Sequence, residues 1–137
     1  MMKIDYKNKN EINSLNIHDS EFNGFCYNYK KRQISFLCKN SFFNENFEFI
    51  FNNVIFCSIQ SCYFWHGGNN ILDIYLEENS AQMKQLIEIQ NSNNDLYDGS
   101  YLSKGIAYLP IELEINSGDK LLIICESINY SIINNKE

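Results

Sequence analysis

The sequence predicts a mainly β fold: an antiparallel sandwich or half-open barrel of about six to seven strands, with one short helix near residues 80–90. Three observations carry this. Apolar and polar residues alternate in most long apolar runs, which places one set on a buried strand face. Turn-forming Asn, Gly, Ser and Asp recur about every eight to twelve residues. Only NSAQMKQLIEIQ shows apolar spacings of three and four, the period of a helix.

Residues 1–14 are polar and read as a lead-in. From Glu21 the chain alternates, with Phe25, Tyr27 and Tyr29 on one side and Asn28 and Lys30 on the other. Gly24 breaks the pattern after Phe22, as a glycine at a bulge does. Residues 30–33 form a polar turn. Ile34, Phe36 and Cys38 then supply one face of a returning strand, with Leu37 on the other. After a turn at residues 40–46, Phe47, Phe49 and Phe51 alternate with Glu48 and Ile50. Asn52-Asn53 interrupts. Residues 54–59 are apolar on both faces, which suggests a central strand or one that passes between two layers.

CYFWHGGNN runs aromatics into a glycine turn. ILDIYLE follows as a strand with Ile71, Leu72, Ile74 and Leu76 on its apolar side. Asn79 or Ser80 is placed to cap the helix, and Met83, Leu86 and Ile87 share one helical face. NSNNDLYDGS is a loop. In IAYLPIELEI, Ile111, Leu113 and Ile115 alternate with Glu112 and Glu114. Pro110 cannot donate to a ladder, so an edge or bulge is expected there. LLIICESINYSI reads as one internal last strand.

At 137 residues the chain is the size of one domain and can bury a core without disulfides or metals. Ten Phe and nine Tyr exclude a disordered composition. The net charge of -6 argues against nonspecific nucleic-acid binding, which needs a basic face, and against an anionic membrane partner. Lys30-Lys31-Arg32, the one basic run, reads as a solvated turn tip. MMKIDYKNKNEINSLNI lacks a signal-peptide core, and no window reaches the roughly 18 apolar residues of a span. A cytoplasmic location is expected. Cys26, Cys38, Cys57, Cys62 and Cys125 are accordingly expected to be free and mostly buried.

His18-Asp19-Ser20 holds the letters of a hydrolase triad, but a triad draws its members from separated segments. The favoured reading is a corner in which Asp19 and Ser20 accept backbone hydrogen bonds and His18 packs against the hairpin. Cys57-x4-Cys62 is not a zinc spacing. A Cys62–His66 nucleophilic pair is the weakest candidate. An EF-hand register with Gly99 at its sixth position would put Leu96 and Gly105 at ligand positions, so it fails. No cofactor or metal site is read from the chain. CYFWHGG reads either as a strand running out of the core into a loop or as an exposed recognition surface; Tyr63, Trp65 and His66 form the recognition cluster in the second case, because aromatics anchor interfaces and stack on sugars. His18 and Asp19 are the secondary candidate.

IHDS, a strand-turn-strand, and then FEFIFNNVIF together resemble a loose group of small uncharacterised bacterial proteins that begin with a His-Asp-Ser element. Some of these resemble immunity proteins of toxin systems. The likeness spans residues 15–57. It implies a β-rich fold and a protein-binding role, and brings no catalytic residues. The expected function is therefore a non-catalytic protein-binding module, an immunity or accessory factor whose partner is a protein such as a basic toxin, since opposite fields speed encounter. The alternative is a small-ligand or carbohydrate-binding β domain. A hydrolase around His18 or Cys62 is third. The chain leaves the oligomeric state open.

Overall fold

The computed structural model describes residues 2–15, 17–40, 45–60, 68–91 and 106–133. These residues form two antiparallel sheets and one α-helix. The strands are β1 (Met2–Ile4), β2 (Glu21–Phe22), β3 (Cys26–Asn28), β4 (Gln33–Asn40), β5 (Glu45–Asn52), β6 (Phe56–Gln60), β7 (Ile71–Leu76), β8 (Leu109–Ile115), β9 (Lys120–Cys125) and β10 (Ser127–Ile133). A 3-10 helix spans Lys9–Ser14, and α1 spans Ala81–Asn91. The larger sheet runs β1-β10-β5-β4-β2, with β3 also paired to β4; the smaller runs β6-β9-β8-β7. A single bridge, Glu21 to Asn70, joins the edges of the two sheets at β2 and β7. The architecture is a sandwich closed at that corner.

Alternation fills the space between the sheets. Ile34, Phe36 and Cys38 from β4, with Phe47, Phe49 and Phe51 from β5, are buried against Ile111, Leu113 and Ile115 from β8. The Phe36 and Phe49 rings stack at 4.8 Å between centroids, and Tyr130 lies 4.9 Å from Phe49. Such pairs add to the area they bury.

The helix begins where its cap predicts: the Met83 N–H donates to Ser80 Oγ at 3.1 Å. It does not plug an opening. Met83 and Leu86 pack with Tyr108 and Ile124, on the side of β9 opposite Ile123, so the helix lies on the outer face of the smaller sheet. Ile87 does not join them and is exposed.

Five further expectations change. The lead-in contains β1, which pairs with β10, and the 3-10 helix, whose Ile12 is core. LLIICESINYSI is two strands: at Glu126 the chain leaves the smaller sheet for the larger, and the Glu126 N–H donates to Asn52 O at 3.0 Å. Residues 54–59 are not central, since β6 is an edge among the described residues. Leu72 is exposed because a register shift between Ile71 and Asp73 keeps Ile71 and Ile74 inward instead. Pro110 sits in an interior strand, but just past the end of β7. Its carbonyl accepts from Glu77 N–H at 2.8 Å, and the return bond its ring cannot donate falls just beyond the last paired residue of β7.

Among the described residues, no helix is long and apolar enough to cross a membrane.

Candidate functional site

The His18-Asp19-Ser20 corner is held mainly by the main chain. Asp19 N–H donates to Ile71 O and Ile71 N–H to Ser20 O, each at 2.8 Å; Ser20 N–H donates to Ile17 O at 3.0 Å. Asn70 Nδ2 donates to Asp19 O at 2.8 Å. Asp19 adopts φ 65°, a conformation Asp tolerates better than most side chains. The expected side-chain acceptors are therefore replaced: the Ser20 hydroxyl is buried and has no partner. His18 does not pack into the hairpin. Its ring is largely exposed, and Nδ1–H donates to Leu72 O at 2.6 Å. Asp19 Oδ2 lies 3.4 Å from Nε2. A molecule reaching this histidine meets the Asp19 carboxylate but not the buried Ser20 hydroxyl. The three side chains do not converge, and the corner splices the start of β2 to β7.

Tyr63, Trp65, His66 and Cys62 lie outside the described residues, as does the loop containing Asn94 and Gly99. Of the other thiols, Cys38 and Cys125 are buried, Cys57 is half-buried and Cys26 is exposed; all four are free. Cys26 departs from the expected burial because β3 lies at the sheet edge. Burial pushes the Cys38 thiol up to about 12 and raises Cys57 and Cys125. These three shifts run opposite to the lowered pKa of a nucleophile. No three metal-ligating side chains cluster among the described residues.

The surface that chemistry does favour is a groove at the tip of the β3–β4 hairpin. Asn28 Oδ1 accepts the Lys31 N–H at 3.0 Å, Tyr29 O accepts the Arg32 N–H at 3.2 Å, and Arg32 takes φ 51°. The tip is pinned to the chain just past β5, where Val54 N–H donates to Arg32 O at 2.8 Å. Between the tip and the start of β6 lies a groove of about 770 Å³. Its floor is Ile34, Val54, Ile55, Phe56 and Cys57, and Tyr27, Tyr29, Lys30 and Arg32 stand around it.

Tyr27 pairs with Ile34 across the hairpin, so it lies on the core-facing side of β3. Yet Tyr27 is 62% exposed and Tyr29 80%. The hairpin reaches past the cover of the smaller sheet. Its aromatic side is left open there. The two rings meet edge to face at 6.1 Å, which holds both in place at the mouth.

No carboxylate lines the groove among the described residues. The sequence carries the cause. Residues 22–44 hold four cations and no Asp or Glu, while the rest of the chain holds seven cations and all 17 acids. That segregation is a legible signal that net charge conceals; the hairpin's tyrosines and Lys30-Lys31-Arg32 belong to one surface.

The outer face of the smaller sheet shows the opposite character. The Tyr75 hydroxyl hydrogen-bonds Glu112, and Glu114 at 2.7 Å, while Lys120 stands 3.6 Å from Glu114. Burial, then these carboxylates, push the Tyr75 hydroxyl up. Each group already has a partner, so the cluster is an internal network rather than a receptor.

No family model matches the chain, and no curated protein matches it either.

Proposed function

We propose that the protein is a non-catalytic protein-binding module and that the Tyr27–Tyr29 groove is its binding surface. The observation that carries this is the tyrosine pair, held at the mouth of an apolar floor beside Lys30 and Arg32. Tyr and Arg are the residue types that dominate interface energetics, and they act best beside a pocket that excludes water. An immunity or accessory role in a toxin system is the form of this reading that the sequence resemblance suggests. A basic toxin would be drawn to the acidic remainder of the chain and repelled by the groove itself, so the two surfaces serve different contacts.

A second reading, a small-ligand site, is favoured by the groove's volume, which falls within the roughly 300–1,000 Å³ of such pockets.

The test compares the native chain with a Tyr27→Ala/Tyr29→Ala variant in co-purification from the source cells. A protein retained by the native chain should be lost by the variant at unchanged melting temperature, with affinity weakened by about 2 kcal/mol or more. Equal retention removes the groove as the surface. Native mass spectrometry that shows a co-purifying small molecule, absent from the variant, favours the second reading.

A further inference from the structure

We infer that the groove receives an extended acidic segment of a partner protein, laid along the free edge of β6. This rests on the groove's being the protein-binding surface and adds the chemistry of what enters it. Two observations carry it independently.

The first is charge. Lys30 borders the groove, and no carboxylate does among the described residues. No ion pair among the described residues involves Lys30. The chain as a whole is at -6, so an acidic segment is repelled elsewhere and accepted here. Complementarity of this kind fixes register and rejects other docking sites.

The second is the edge. Among the described residues β6 pairs only with β9, so one side of its main chain has no strand partner among them where Phe56 and Cys57 line the groove. An added strand takes affinity from main-chain hydrogen bonds and specificity from alternate side-chain pockets. Alternation suits this site: apolar residues meet the floor of Ile34, Val54 and Ile55, and carboxylates reach Lys30. Ile59, on the same strand, is exposed and extends the apolar track. A nucleic acid is disfavoured because its phosphates continue past the tip onto the acidic remainder, with few cations to displace counterions.

The experiment is fluorescence anisotropy on the full chain. The probes are a fluorescein-labelled decapeptide of alternating Glu and Val, the same with Lys for Glu, and a labelled ten-residue oligo-dT. The Glu-Val peptide should bind and weaken as salt rises. Lys30→Glu should weaken it by about fivefold and Lys30→Glu/Arg32→Glu by about thirtyfold. Lys3→Glu/Lys7→Glu, the same charge change near the opposite edge of the larger sheet, should leave it bound. Because Lys30 is exposed, its single variant keeps the test open even if the double variant unfolds. Equal binding by Lys30→Glu, tighter binding of the Lys-Val peptide, or preferential binding of the oligonucleotide overturns the inference. If the acidic peptide fails while the tyrosine variant still loses its protein partner, the occupant is wrong and the surface stands. If neither responds, both fall.

Discussion

Replacing Ser20 by Ala should stabilise the protein. Ser20 is fully buried, and its hydroxyl has no hydrogen-bond partner. Burying such a group without compensation costs roughly 1–3 kcal/mol on mutational scales. Alanine keeps Cβ and removes only the oxygen. The main-chain bonds from Ser20 N–H to Ile17 O and from Ile71 N–H to Ser20 O are untouched. Against the gain stands the lost packing of one heavy atom, a few tenths of a kcal/mol. The net expectation is about 0.5–2 kcal/mol of added stability. Urea unfolding reads it directly: the midpoint should rise with the slope unchanged, since an altered slope reports a changed end state. Destabilisation by 1 kcal/mol or more would show that the hydroxyl has a partner, a buried water for example, and would refute the argument. It would also reopen the corner as a polar site, because an engaged Ser20 beside His18 is what a hydrolase reading needs.

Three other outcomes follow from the same coordinates. His18→Ala should cost about 0.5–1.5 kcal/mol by deleting the bond to Leu72 O; an unchanged melting temperature with loss of a binding activity would make the corner a site. Stability should fall as pH rises above about 9, because the folded Cys38 thiol holds its proton up to about 12 while the unfolded one releases it, so the unfolded state binds fewer protons across that window. The slope is at most about 1.4 kcal/mol per pH unit for each such thiol, and Cys38→Ala should flatten it; a urea midpoint equal at pH 8 and pH 10.5 would contradict this. In native protein at pH 8, Cys26 should react with Ellman's reagent within seconds while Cys38 and Cys125 wait for unfolding, and rapid modification of either of those two would refute their burial.

Much of the fold was legible because it depends on one face at a time. Ile34, Phe36 and Cys38, Phe47, Phe49 and Phe51, and Ile111, Leu113 and Ile115 alternate in the sequence and are all buried. What left the reading open was apolarity on both faces. In residues 54–59 it allowed a central strand or one between two layers; the latter holds, and β6 is an edge among the described residues. Its two apolar faces report two covers: Cys57 packs against the core and Phe56 beneath the helix. The same holds for β9, where Ile123 faces the core and Ile124 the helix. Side-chain polarity measures what lies above and below a strand, not what lies beside it, because lateral neighbours bind through the main chain. The crossing at Glu126 was hidden for a related reason. Its flanks are equally apolar, and a change of sheet leaves no gap in composition.

The groove was missed by a different route, and the difference bears on function. Alternation correctly put Tyr27 and Tyr29 on one face, and a chain-wide charge of -6 correctly excluded a basic protein. Each statement averages over something the site depends on. Whether a core-facing tyrosine is buried depends on how far the opposing sheet extends, which no local pattern records. Whether a surface is cationic depends on where the acids are, and they are absent from residues 22–44. The hairpin that overshoots its cover is also the stretch emptied of carboxylates. Neither property serves packing: buried tyrosines would stabilise the sandwich more, and interspersed acids would offset Lys30, Lys31 and Arg32. Two departures from what the fold alone requires, coinciding at one tip, are what a binding surface demands and a structural hairpin does not.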